Sequence, residues 1–197
     1  MNRLLILPVL LLTLLVGTPA FSADFQKGWT AYFSGDYATA LRECTPLAKQ
    51  GDAVAQTLLG MMYDEGKGVP QDYKTAVKWY KLAAEQGDAS AQYNLGLMYS
   101  NGQGVPQDYK TAVKWWRLAA EQGYALAQHD LGVMYSNGQG IIQDYVRAHM
   151  WWNIAASSGH KGAVKNRDIV AGKMTPTRIE DAQKLARECL RKKYKGC

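Results

Sequence analysis

Three stretches, beginning at Ala53, Ala89 and Ala125, repeat one pattern at a constant spacing of 36 residues. A fixed period of that size constrains the fold more than any other feature of the chain. Each unit is one supersecondary piece that cannot bury its apolar side alone, and stacking neighbours buries a continuous core. The spacing therefore predicts an elongated array of units and excludes two separate globules.

The middle unit, 89–124, reads as two helices. Ala91, Leu95, Met98 and Tyr99 fall on one helical face. Gly102-Gln103-Gly104-Val105-Pro106 interrupts the chain. Asp108 is placed to cap a second helix, whose apolar face is Tyr109, Ala112, Val113, Trp116 and Ala120. Gly123 stands where a left-handed residue would end it. Trp79, Trp115 and Trp151 recur at one position, and Tyr80, Trp116 and Trp152 at the next. Recurrence in register reads as packing.

These residues carry the motif A-x-A-Q-x-x-L-G-x-M-Y-x-x-G-x-G-V-P-Q-D-Y-x-x-A-x-x-W-x-x-x-A-A-x-x-G and resemble the Sel-1-like repeat family. The first two units match fully. In the third, Ile142 stands where the others have proline, and Ser157-Ser158 stands for Glu-Gln. The resemblance implies an all-α, right-handed solenoid of helix-turn-helix units that acts as an adaptor, with the first helices lining a concave surface. The domain reading is a signal peptide over 1–23, an N-terminal capping half-repeat over 24–52, repeats over 53–88, 89–124 and 125–160, and C-terminal capping helices over 161–197. Phe25, Trp29, Tyr32 and Phe33 are expected to cover the leading end. At the other end the repeat register is read only as far as Ala163. Beyond it Thr175 and Pro176 open a lid helix with Ile179, Ala182, Leu185, Ala186 and Leu190 on its apolar face.

The leader reading rests on Arg3, an apolar run from Leu4 to Val16, and small residues before Ala20 and Ala23. It implies export, to the periplasm if the host is Gram-negative. In an exported chain the three cysteines point to a disulfide. Cys189 and Cys197 are expected to pair across a short loop, and Cys44 aligns with the core positions Tyr80 and Trp116 as a buried free thiol. The formal charge is +6. Residues 161–197 hold 11 Lys and Arg against 4 Asp and Glu, whereas 24–160 hold 11 against 13. The linear reading is a mildly acidic body with a basic tail, the tail being a candidate for contact with an envelope surface.

Signals for chemistry are weak. The Gly-x-Gly links lack the following Lys-Ser/Thr of a phosphate cradle. Ser158 to Lys161 spells S-x-x-K without the companion motifs of serine acylases. Some secreted relatives are linked to penicillin binding or hydrolysis, but they carry a cysteine pair in each repeat, and these repeats carry none. His129, His149 and His160 show no metal-ligand spacing. No catalytic residue, metal or cofactor is assigned, and export without a nucleic-acid motif argues against nucleic acid. What remains is surface. Positions in the first helix that differ between units should face solvent: Thr57, Tyr93 and His129; Leu58, Asn94 and Asp130; Met61, Leu97 and Val133. The expectation is a groove for a protein or peptide centred on Tyr93, Leu97, His129 and Val133, flanked by Asn94 and Asp130.

Overall fold

A computed structural model describes residues 23–197, in which ten α-helices and no strand occur. The leader expected over 1–23 lies, apart from Ala23, outside the described residues. A leading pair, α1 (Ala23–Ser34) and α2 (Tyr37–Lys49), precedes three pairs: α3 (Ala53–Glu65) with α4 (Tyr73–Glu85), α5 (Ala89–Asn101) with α6 (Tyr109–Ala120), and α7 (Ala125–Asn137) with α8 (Tyr145–Ser157). Two more helices follow, α9 (Lys161–Ala171) and α10 (Pro176–Arg191). From α1 to α9 consecutive helices pack on one another, which is the contact pattern of a solenoid.

Local chemistry sets the helix ends. Asp52 and Asp88 accept from the backbone N–H of Ala55 and Ala91 at the starts of α3 and α5. Asp72 and Asp108 cap α4 and α6, and hydrogen bonds from the hydroxyl and N–H of Thr75 and Thr111 hold both carboxyls below the usual range. The second glycine of each Gly-x-Gly link has a further duty. Gly104 and Gly140 have φ of +71° and +69°, and a Cβ on either would lie 2.4 Å from the carbonyl oxygen of Tyr73 or Tyr109. The link of one unit thus rests on the start of the preceding unit's second helix, so both backbone conformation and space demand glycine.

The recurrent aromatics are packing residues. A Cβ on Gly96 would sit 2.4 Å from Trp116 Nε1, and one on Gly132 would sit 2.5 Å from Trp152 Nε1. Each indole fills the notch that its glycine leaves open and donates to a carbonyl of the same first helix, Trp116 to Tyr93 at 3.1 Å and Trp152 to His129 at 3.0 Å. In the first unit Tyr80 takes this place against Gly60, and its hydroxyl donates to Asp64. Buried glutamines join the units. Gln56, Gln92 and Gln128 donate to the carbonyls of Ala48, Ala84 and Ala120, which are among the orphan acceptors near the C-terminal ends of the preceding second helices.

Four expectations need correction. The register does not stop at Ala163: α9 starts at Lys161, 36 residues after Ala125, and packs as the next first helix. At the leading end Tyr32 is buried but Phe33 is exposed, its ring touching only the edges of its α1 neighbours Trp29 and Tyr32 among the ring contacts; the Phe25 side chain lies outside the described residues. Thr57 and Leu58 are buried, not solvent-facing, since the leading pair and the Asp88 cap cover them. In α10 the buried stripe is Ala182, Ala186 and Cys189, and Leu185 and Leu190 stay exposed. Small residues let α10 approach α8 closely, and it packs there instead of pairing with α9. Cys189 is bonded to Cys197, while Cys44 is free, fully buried, and has its thiol pushed up to about 11, first by burial.

Candidate partner-binding surface

Tyr93, Asn94 and Leu97 lie on α5, and His129, Asp130 and Val133 on α7; all six are half-buried. The fold brings the two sets together across neighbouring first helices. Burial, with the neighbouring Asp130 carboxylate adding, pushes the Tyr93 phenol well above its ordinary value. His129 Nδ1 lies 2.9 Å from Asp130 Oδ1, and the Asn166 amide donates to His129 Nε2 at 3.0 Å. Asp130, His129 and Asn166 thus form one hydrogen-bonded line across α7 and α9, with Tyr93 of α5 beside Asp130. An Asp–His pair can prime a nucleophile, but here the other ring nitrogen is taken by Asn166. Ser158 lies exposed at the end of α8, and Lys161, also exposed, opens α9.

Tyr93 and His129 are also joints between units. Thr57 donates to Asp88 at 3.1 Å, the Tyr93 and Tyr124 rings lie 5.2 Å apart, and the His129 and His160 rings stack at 4.5 Å. These are the same two repeat positions in three successive units. Each first helix meets the start of the next first helix through a matched pair: polar, then aromatic, then imidazole. The members change together from unit to unit, which is the signal that reveals the contact; looking at Tyr93 and His129 alone misses it.

The apolar positions make a longer feature. Met61, Leu97, Val133 and Ile169 recur at 36-residue steps on α3, α5, α7 and α9. The first three are half-buried and Ile169 is 55% exposed. Between α7 and α9 a cleft of about 190 Å³ is lined by Val133, Trp152, Asn166, Ile169 and Lys173 among others. Ile169 and Asn166 were hidden from sequence reading because the motif fades after Ala163, although adding 36 to Val133 and Asp130 lands on them. Among the described residues no group of three or more His, Cys, Asp or Glu could hold a metal ion. No described helix is long and apolar enough to cross a membrane.

Stacked helix pairs joined by a ladder of half-exposed side chains define a helical-repeat scaffold. The Sel1 repeat family model matches residues 53–88, 89–124 and 125–160, more than half of the chain, and the protein belongs to that family. Its fold is generally a protein–protein interaction module, and its members are generally non-catalytic. The structure is similar to a Sel1 repeat protein from Oxalobacter formigenes, at 32% identity and a TM-score of 0.66, over 84% of this chain and 75% of that one. It is also similar to a protective antigen of uropathogenic Escherichia coli strains displaying an SLR fold, at 27% identity and a TM-score of 0.61. That match spans 87% of this chain but 46% of the antigen. No curated protein sequence matches the chain.

Proposed function

We propose that this protein is an exported adaptor that captures a polypeptide on the face made by its first helices. The observation that carries the reading is the ladder Met61, Leu97, Val133 and Ile169, apolar at every step on a face where the solenoid core does not require full burial. Asn94 and Asn166 beside it offer donors and acceptors to a peptide backbone. Tyr93 and His129 then serve the groove indirectly, by fixing the spacing between its walls, and Leu97, Val133 and Ile169 make the contact. Export is supported by the leader-like sequence at residues 1–23 and by the Cys189–Cys197 bond, which belongs to an oxidising compartment.

The test is a Leu97→Asp, Ile169→Asp variant. It should keep the helicity of the parent by circular dichroism and lose a crosslinked partner from an envelope fraction. Full retention of that partner by a folded variant sinks the reading.

A further inference from the structure

The second helices carry a pattern that the linear charge reading concealed. α4 presents Lys74, Lys78 and Lys81, and α6 presents Lys110, Lys114 and Arg117 at the same repeat positions, all exposed. The first helix α5 has no charged residue, and α7 has only Asp130 besides His129. The cations of the solenoid body therefore gather on the second-helix face. Leu82 and Leu118 stand among them, each 46% exposed.

The third unit shows what happens to this face when a helix covers it. In α8 the three cation positions are Val146, Met150 and Asn153, and the leucine position is Ile154. Ile154 is 0% exposed. α9 packs on α8 as α7 packs on α6, so the extra cover comes from α10. Ala186 and Cys189 of α10 share a core with Met150, Trp151 and Ile154. The outer face of one second helix is thus a helix-docking surface already filled within the chain, and the cations there have been exchanged for neutral residues. α6 keeps its cations, its leucine and an open cavity of about 400 Å³ lined by Lys110, Lys114, Arg117, Leu118 and Ile141 among others, with Glu121 the one carboxylate against these three cations. The Tyr135 hydroxyl accepts from Arg117 at 3.1 Å and steadies one wall.

We infer that the outer face of α6, continued by α4, docks an acidic amphipathic helix of a protein partner, laid on α6 as α10 lies on α8. Its apolar stripe would meet Leu118 and the cavity floor, and its carboxylates would meet Lys110, Lys114 and Arg117. Charge complementarity chooses this occupant: a neutral stripe such as that of α10 suits Val146 and Met150, whereas an open cationic rim suits acidic flanks.

The test uses the full disulfide-bonded chain and a fluorescein-labelled peptide of about eighteen residues, long enough to form a helix on docking. The peptide is built of Glu, Ala and Leu, with leucines on one helical face. The parent should bind it and not bind the same peptide with Lys in place of Glu. Lys110→Glu with Lys114→Glu should weaken binding by roughly tenfold or more. Leu118→Ser should weaken it as well, which a merely electrostatic attraction would not show, and Leu97→Asp with Ile169→Asp should leave it unchanged, keeping this face separate from the first-helix groove. The substituted side chains on α6 are exposed, and unchanged circular dichroism checks the fold. No binding of the acidic peptide, binding indifferent to both α6 variants, or sedimentation with phosphatidylglycerol vesicles in place of peptide binding overturns the proposal.

Discussion

The side-chain amide of Gln122 donates to Oε1 of Gln92, 2.9 Å away, and Gln86 makes the same bond to Gln56 at 2.8 Å. In the third unit the series breaks. Ser158 occupies the position of Gln86 and Gln122, and Oε1 of the fully buried Gln128 has no partner. A buried acceptor left without a donor costs about 1–3 kcal/mol. Ser158→Gln restores the donor and should stabilise the protein by about 1 kcal/mol, seen as a higher urea midpoint at unchanged slope. Gln122→Ala should do the reverse by orphaning Gln92.

The indole notches yield a second expectation. Gly132→Ala puts a methyl 2.5 Å from Trp152 Nε1 and strains the bond from that nitrogen to the His129 carbonyl. Alanine's better helix propensity returns up to about 1 kcal/mol, but overpacking and the strained hydrogen bond should outweigh it, for a net loss of about 2 kcal/mol. Gly87→Ala, with nothing within 4 Å of the added carbon, is the control for backbone strain alone, because its φ of +96° is already costly for alanine. Thermal denaturation should show the indole environment of the Gly132 variant altered in near-ultraviolet circular dichroism, and that of the Gly87 variant unaltered.

His149 replaces the valines at 77 and 113, is 3% exposed, and has no partner for Nδ1. Burial, with the Arg167 guanidinium adding to it, lowers its pKa from the ordinary value. In the range between the unfolded value, near 6.5, and the lower folded one, the unfolded chain binds the extra proton. Stability is therefore fully present above about pH 6.5 and falls as pH drops through that window. His149→Val should flatten this part of the stability curve, which urea titrations across pH 5 to 8 will show.

Beyond α10 the chain turns back through Lys193 and Tyr194, both at positive φ (50° and 68°), and the Tyr194 ring sits over Gly123. Tyr124, next in sequence, is the ring partner of Tyr93. The Cys189–Cys197 bond holds this hook. Cys197→Ser should cost about 2–3 kcal/mol by the loop-entropy account, less whatever relief the two left-handed residues gain. Urea midpoints of the parent and the variant, each with and without dithiothreitol, check this: the reductant should shift the parent and leave the variant where it is.

Much of the fold can be read from the chain because each unit repeats its own instructions. Asp108, Gly102, Gly123 and Pro176 mark helix ends by local rules, and the period places every other unit once one is understood. Relationships between units are harder to read. The pairs Thr57–Asp88, Tyr93–Tyr124 and His129–His160 cross a unit boundary, and their members change type together, so no single-position pattern announces them. Ile169 and Asn166 follow from the period, but the motif around them has decayed because α10 does not pair with α9. The segregation of cations onto α4 and α6 disappears when charge is summed along the chain, since helical faces interleave in sequence. The docking of α10 depends on Ala182, Ala186 and Cys189, small residues whose value lies in close approach to α8 and not in their own hydrophobicity.

The central claim, capture of a polypeptide on the ladder of the first helices, is tested most directly by site-specific photocrosslinking. A photoreactive residue is placed at 97, at 169 and, as a control, at the exposed Gln107, and the protein is irradiated in whole cells of its native host. One and the same polypeptide should be joined from 97 and from 169 and not from 107. Adducts absent at 97 and 169, or equally abundant from all three sites, would contradict the account.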